Sequence, residues 1–507
     1  MPDIRYVCLS DMHFGAETSL LTNLKTASME IDASKPSPVL EELVVCLKSL
    51  IDRNEVKSPK PTLILNGDIL ELALARDNQA AMCFERFIDL IMPEDGGLFE
   101  RIVYNPGNHD HHLWETARET QYVDFISTDP GPGIPWGKSL DEPWHATSAF
   151  KYPEERLVRS HFLTKLVQRR PNLREFIVET AYPNFGLLGE DGRRAVIFHH
   201  GHFTEDMYVL MSVLKTMLFP DSKLPVDVWD WERENFAWID FFWSTLGRSG
   251  DVGKGVGRVY EKLQDEKQFK RLLANLAEGL AKRFDIPLLT EGMEAELFEK
   301  VLRMVADAVG SLERNQPDAV LSEDAEKGLW RYVEGPLKLQ IKEELRSRIV
   351  KELGKPVEKE LEKWVGEELE RRFPSEVRFV FGHTHKPFER DMNFNGYPEW
   401  VDVYNSGGWV VDSVKRRPLH GGAVILLDED LNAASLRMYN ECDELEDYKV
   451  WVAEAGHPGD VPGPLFARLA PLVKEDRDPW KKFLGAVARS VSVRAEDLRA
   501  RINSPDY

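Results

Sequence analysis

The sequence predicts an α/β protein built on two sheets, with a large helical insertion. Three observations carry this. Short apolar runs alternate with helical stretches from Ile4 to Tyr104. A second group of apolar runs begins near Tyr182 and resumes near Val377. Between them strand signals vanish, and long charged stretches with helical spacing replace them.

Ile4–Ser10, Pro61–Leu65 and Arg101–Tyr104 have the length and composition of strands. Pro38–Arg53 and Gln79–Met92 between them have helical spacing. Alternation at this pitch implies βαβ units and a parallel sheet. Asp191-Gly192 separates Tyr182–Leu188 from Arg193–His199 and is a hairpin turn signal. Strand candidates Val377–Phe381, Trp400–Tyr404, Gly422–Leu427 and Ala434–Tyr439 close the pattern, and this later group is expected to form the second sheet. Glu261–Phe284, Glu294–Arg314, Leu329–Leu353 and Val357–Arg372 read as the helices of the insertion; their heptads are too irregular for a coiled coil. Expected boundaries are 1–202 and 376–440 for the two parts of the main domain, 203–375 for the insertion and 441–507 for a C-terminal helical tail.

The chain has 507 residues and a formal net charge of -21. That acidic balance disfavours a nucleic-acid partner, whose phosphates need a basic face. The four cysteines, Cys8, Cys46, Cys83 and Cys442, form no Cys-x-x-Cys pair, so neither a zinc-thiolate site nor a disulfide framework is expected. No apolar run reaches membrane-spanning length, and with a strand candidate starting at Ile4 no secretory leader is expected. The expectation is a soluble cytoplasmic protein.

Five short blocks sit where apolar strands should end: Asp11-Met12-His13, Gly67-Asp68, Gly107-Asn108-His109-Asp110, His200-Gly201-His202 and Gly382-His383-Thr384-His385. Each is weak alone, since Gly-Asp is common in turns and Asp-x-His in surface pairs. Together they bring carboxylates, an amide and imidazoles to the carboxyl ends of strands, where sites in such sheets collect. In strand geometry the x between Asp11 and His13, and between His383 and His385, would put each pair on one face. Gly67, Gly107 and Gly382 would let the backbone turn tightly beside ligands. The donor mix suits Mn, with Fe or Zn as alternatives, better than Ca or Mg, which favour oxygen-only shells.

In this order the blocks resemble the calcineurin-like metallophosphoesterase superfamily. The resemblance covers roughly the first two hundred residues and 376–440. It implies a two-sheet β-sandwich flanked by helices and a dinuclear centre of divalent or trivalent metal ions. By the resemblance, Asp11, His13 and His385 bind one ion, and Asn108, His200 and His383 bind the other. Asp68 bridges the two. His109 contacts phosphate and protonates the leaving oxygen, and Asp110 orients His109. A metal-bound hydroxide would attack a phosphoester or other phosphorylated small molecule. Ser-Asp-Met-His-Phe-Gly and Asn-Gly-Asp-Ile-Leu-Glu-Leu are similar to the UDP-diacylglucosamine pyrophosphohydrolase branch, but that branch carries Arg where this chain has His109. A nucleotide- or lipid-linked pyrophosphatase or phosphodiesterase therefore stays open beside a general phosphoesterase. A scaffold that keeps the fold without turnover is the reading from another class. Degenerate motifs would favour it, and every expected ligand is present here.

Weaker signals have plainer readings. His202 is expected near substrate or behind the ligands, and His111 and His112 at a solvated helix start. Asn405-Ser406-Gly407-Gly408-Trp409 is expected to support the His383 loop. Val228–Trp243 carries aromatics on two helical faces, which fits burial within the insertion better than a substrate wall or membrane contact. Gly253-Lys254-Gly255 lacks the Ser or Thr of a P-loop and reads as a hinge. Because His200 and His383 must approach one ion, both ends of the insertion are expected beside the centre, making it a cap.

Overall fold

In the computed structural model, residues 2–25, 28–128, 146–150, 158–241, 319–354, 357–457, 459–474 and 476–502 are described. The chain opens with strand β1 (Tyr6–Leu9), helix α1 (Pro38–Ile51), β2 (Thr62–Asn66), α2 (Asp77–Ile91), β3 (Arg101–Asn105) and α3 (His112–Thr128). Strand β4 (Val158–Arg159), α4 (His161–Gln168), β5 (Val178–Thr180), β6 (Asn184–Leu188) and β7 (Arg194–His199) follow. Helices α5 (Leu210–Leu218), α6 (Val228–Ile239), α7 (Glu323–Tyr332), α8 (Lys338–Leu353) and α9 (Lys359–Arg372) lie in the insertion. The chain closes with β8 (Glu376–Phe381), β9 (Phe388–Met392), β10 (Val401–Asn405), β11 (Gly421–Leu427), β12 (Ala433–Asn440), β13 (Trp451–Ala453), α10 (Pro464–Leu469) and α11 (Trp480–Ile502). Local chemistry sets several boundaries. Ser37 Oγ accepts from Leu40 N, with Pro38 at the first helical position, to start α1. Ser322 caps α7, and Gly354, at φ 65°, ends α8. Pro336 cannot donate within a helix, and a π turn, Val333–Leu337, absorbs it between α7 and α8.

Two mixed sheets stack face to face. The larger has the order β13-β12-β11-β1-β2-β3-β5-β4, and the smaller β6-β7-β8-β10-β9. Alternation along each strand sorts side chains between layers. Cys8, Ile64, Val103, Val196, Phe198 and Val380 point between the sheets. Their neighbours Val7, Leu9, Leu63 and Leu65 face the other way, onto α1, α2 and α11. Ala195, Ile197, Phe379 and Phe381 face Leu329, Tyr332, Ile341 and Leu345 of the insertion. Both faces of both sheets are covered, which explains the near-continuous apolar runs in these strands.

Three expectations change here. The later strands do not form one second sheet. β10 joins the smaller sheet, but β11 pairs antiparallel with β1 (Cys8 opposite Ile425) and carries β12 and β13 into the larger one. The βαβ units extend that sheet from β1 in one direction only, which leaves the other edge of β1 to be filled. The C-terminal segment is not purely helical or peripheral: β13 is an edge strand, and Phe483, Val487 and Val491 of α11 enter the main core. β7 and β8 are parallel neighbours, with Arg194 opposite Glu376, so the insertion returns to the start of β8, beside Arg193, and not to the end that carries His383. Between Glu205 and Ser375 the described residues contain helices and no strand. Glu261–Phe284, Glu294–Arg314, the glycine-rich stretch after Gly247, Phe242 and Trp243 lie outside the described residues.

Candidate metal centre

The five blocks meet at the carboxyl ends of β1, β2, β3, β7 and β8. Backbone bonds lock the loops together: Asp11 N donates to Gly67 O and His13 N to Asp68 O, each at 2.9 Å, and Gly382 N to His200 O at 2.8 Å. Asp11 and His13 do not share a strand face as expected, because β1 ends at Leu9. Left-handed backbone aims them instead. Among the described residues seven non-glycine residues have positive φ, and five are Asp11 (49°), His13 (45°), Asp68 (51°), His383 (67°) and His385 (56°). Such backbone is costly outside glycine and collects where function requires it. The glycines crowd the same point. A Cβ on Gly107 would lie 2.2 Å from Asp68 Oδ1, and one on Gly382 2.1 Å from Asp11 Oδ2.

One donor group comprises Asp11, His13 and His385, and another Asp68, His200 and His383; within each, the donor atoms lie within 4.8 Å of one another. Asp68 Oδ2 is 3.7 Å from His13 Nε2 and 3.3 Å from His200 Nε2, between the groups. Asn108 Oδ1 is 3.0 Å from His200 Nε2. All of these residues are buried or nearly so. Burial pulls His200 down, but the Asp68 and Asp11 carboxylates outweigh it and raise the ring to about 9. His385, buried as well, is raised to about 10 by Asp412 and Asp11. Burial opposes ionisation of Asp68, yet His200 and His109 hold it well below the usual carboxylate range. Positive charge is favoured at this spot.

Each imidazole is gripped from behind. His13 Nδ1 donates to Glu71 Oε2 at 2.9 Å, and His385 Nδ1 to Asp412 Oδ2 at 2.5 Å. His383 Nε2 lies 3.5 Å from Glu205 Oε2, and His200 Nδ1 3.2 Å from the Asn66 carbonyl. With those outward protons committed, each inward nitrogen is a lone pair unless it takes the second proton that the carboxylates favour on His200 and His385, so a proton or a metal ion belongs on that side. His200 Nε2 then faces His383 Nδ1 at 3.3 Å, besides the oxygens of Asp68 and Asn108. Acceptors facing acceptors need a cation between them, and outward carboxylates are the usual partners of metal-binding histidines. His13 Nε2 has no hydrogen-bond partner, as such a ligand nitrogen should not. The residues therefore fit metal ions.

Glu71, Asp412 and Glu205 were missed in the sequence. Glu71 lies three residues after Asp68, within the run Gly-Asp-Ile-Leu-Glu, but nothing in that spacing shows which rings it grips. It also corrects the role expected of Asp110. His109 Nδ1 donates to Glu71 Oε1 at 2.9 Å. The Asp110 carboxylate instead accepts from the backbone of Gly107, Asp68, Ile69 and Leu70, holding the loops rather than the imidazole. His202 is fully buried and turned away, its ring against Phe203 (4.3 Å) and near the Tyr182 hydroxyl. His111 is also fully buried, not solvated as expected. Asn405 Nδ2 donates to Gly382 O and Thr384 Oγ1, supporting the His383 loop as expected. Of the aromatic stretch, Trp231 and Phe236 are buried and Trp229 is exposed. A small cavity lined by Asp68, Asn108, His109, Glu205, His383 and His385 lies at the centre.

No protein-family model matches this sequence, and no curated protein matches it. Among solved structures it is similar to a dimetal phosphatase from Danio rerio, with a TM-score of 0.26 and 11% identity, covering 86% of this chain and 95% of that one. No described helix is long and apolar enough to cross a membrane.

Proposed function

We propose that this chain is a phosphoester hydrolase with a dinuclear metal centre. Asp11, His13 and His385 would hold one ion, Asn108, His200 and His383 the other, and Asp68 both. The observation that carries this reading is the set of outward carboxylates. His13, His383 and His385 each turn one nitrogen toward Glu71, Glu205 or Asp412 and the other inward. When bound, two such ions neutralise phosphate charge and generate a nucleophile from water at neutral pH. His109 lines the cavity. Its Nδ1 proton is held by Glu71, whose charge stabilises the doubly protonated ring. That ring can give its Nε2 proton to the departing oxygen. Glu71 thus serves both a metal-facing ring and an acid.

The main domain is read as 1–202 with 376–440, the insertion as 203–375, and 441–507 as the edge strand and helices that complete the larger layer. The insertion's first residues belong to the site. Glu205 lines the cavity, and the Tyr208 ring packs 5.1 Å from His383.

The test loads purified protein with Mn, Fe or Zn. It assays p-nitrophenyl phosphate, its bis ester and a nucleotide sugar, with elemental analysis of the wild type and Asp68→Asn. The wild type should hydrolyse at least one class, and Asp68→Asn should lose both metal and turnover. No hydrolysis with any metal, or undiminished metal and turnover in Asp68→Asn, would overturn the reading. The ratio of monoester to diester activity then separates a phosphatase from a diesterase or pyrophosphatase.

A further inference from the structure

The start of α3, which follows the Asn108-His109 loop directly, meets the end of α6. His112 and Glu115 lie in the first turn of α3, three residues apart and so on one side of the helix. Asp240 immediately follows α6, a helix of the insertion. The donor atoms of His112, Glu115 and Asp240 all lie within 4.8 Å of one another. His112 Nδ1 is 3.6 Å from Asp240 Oδ1.

A second observation points to a ligand here. His111 is fully buried, packed against Tyr182 at 5.2 Å and Phe236 at 4.8 Å. Neither of its ring nitrogens has a hydrogen-bond partner, and its Nδ1 is directed at Asp240 Oδ1 from 3.5 Å. A fully buried imidazole aimed at a carboxylate without a formed hydrogen bond is an expensive arrangement. Burial and the Asp240 charge push the Glu115 carboxyl up, whereas His111 and His112 outweigh burial at Asp240 and hold its carboxyl down. Arg118, one turn further along α3, lies over the Phe236 ring at 4.4 Å. The carbonyl end of α6, from which Asp240 projects, adds negative potential, against the positive amino end of α3.

We propose that His112, Glu115 and Asp240 form a third cation site, outside the dinuclear centre, for one borderline divalent ion such as zinc. One imidazole and two carboxylates are a complete three-residue zinc set, with a fourth position open to solvent. A small tightening of the two helices brings the donors onto one ion, and His111 then donates Nδ1–H to the Asp240 carboxylate behind it. The ion would clip α6 of the insertion to α3, the helix that follows the Asn108-His109 loop.

The site shares no residue with the dinuclear centre and does not depend on phosphoester hydrolysis. The test strips metal from the full chain and titrates zinc, counting bound ions by elemental analysis. Glu115→Gln, His112→Ala and Asp68→Asn are compared with the wild type. Glu115→Gln and His112→Ala should each bind one equivalent fewer, and Asp68→Asn should keep the ion that those variants lose. Zinc should also raise the Tm of Asp68→Asn more than that of Asp68→Asn combined with Glu115→Gln, as a ligand that binds only the folded state must. Glu115→Gln is near-isosteric and keeps the fold testable if His112→Ala does not fold. Equal zinc stoichiometry in the wild type and Glu115→Gln, with no difference in Tm response, overturns the proposal.

Discussion

Glu71→Gln separates metal holding from acid catalysis, because the two oxygens of Glu71 do different work. Oε2 accepts from His13 Nδ1, while Oε1 accepts from both His109 Nδ1 and Leu74 N. A glutamine keeps one oxygen. It will sit where two donors want it, at the Oε1 position, so its NH2 group meets His13. His13 must then accept at Nδ1 and carry its proton on Nε2, the nitrogen turned toward Asp68. One buried hydrogen bond to a charged group is lost, about 1.5–3 kcal/mol, or roughly ten- to a hundred-and-fifty-fold. Loss of an outer partner of a ligand typically costs roughly 10–100-fold. The expected result is Mn affinity weaker by about that factor, with a much smaller change in turnover at saturating Mn. The assay is activity against free Mn in a metal buffer, alongside calorimetric titration. Unchanged Mn affinity in a folded Glu71→Gln protein would refute the grip on His13. A loss confined to turnover would mean that the amide turns toward His109.

Two further outcomes are expected. His109→Ala should keep its metal and lose roughly 10²–10⁴-fold in kcat, with esters of poor leaving groups hit harder than p-nitrophenyl phosphate; equal losses on both would leave His109 a phosphate contact only. Glu441, almost fully buried with Arg417 N donating to Oε2, is pushed up to about 8 from about 4.5 by burial. Between those values the folded state binds more protons than the unfolded one, so stability should fall as pH rises through the window, by an amount on the order of 3–5 kcal/mol. Glu441→Gln should flatten that decline in denaturant titrations at pH 5 to 9, and parallel wild-type and variant curves would contradict it.

The residues that meet at the candidate centre were legible because each announces itself locally. Asp11, Asp68, Asn108, His200 and His383 all follow an apolar strand, and Gly67, Gly107 and Gly382 mark the close backbone approach. The residues that grip them were not. Asp412 serves a histidine twenty-seven positions away, and Glu71 serves His109 across thirty-eight. Such pairings are made by the packed loops, and no spacing rule encodes them. Asp110 misled for the opposite reason. It adjoins His109 in sequence, but in a turn adjacent side chains diverge, and its carboxylate is taken up by four backbone N–H groups. The two-sheet architecture was readable from alternating patterns. The sheet to which β11 and β12 belong was not, since an antiparallel strand can fill either an open edge of β1 or the edge of the smaller sheet with the same sequence.

The topology of the insertion changes what it can do. Parallel neighbours cannot be joined by a tight turn; they need a crossover that runs back along the sheet. β7 and β8 are such neighbours, so the insertion is an enlarged crossover whose ends lie a strand length apart, about 20 Å for six residues. Only its first root, from His202 to Tyr208, is at the centre. The second is beside Arg193 at the opposite end. A cap hinged at both roots beside the centre is therefore excluded. Helices α7 and α8 instead form the fourth layer, packed on Ile197, Phe379 and Phe381, which is where a βαβ crossover belongs. Among the described residues of the insertion, Glu205 in the short stretch after His202 lines the cavity at the centre. There Gly328 of α7 lies so close to Thr204 that a Cβ would come within 1.8 Å of the Thr204 carbonyl oxygen. That contact fixes the segment carrying Glu205 against the layer behind it. The orientation of His383 is thus tied to the packing of α7, although α7 supplies no ligand of its own.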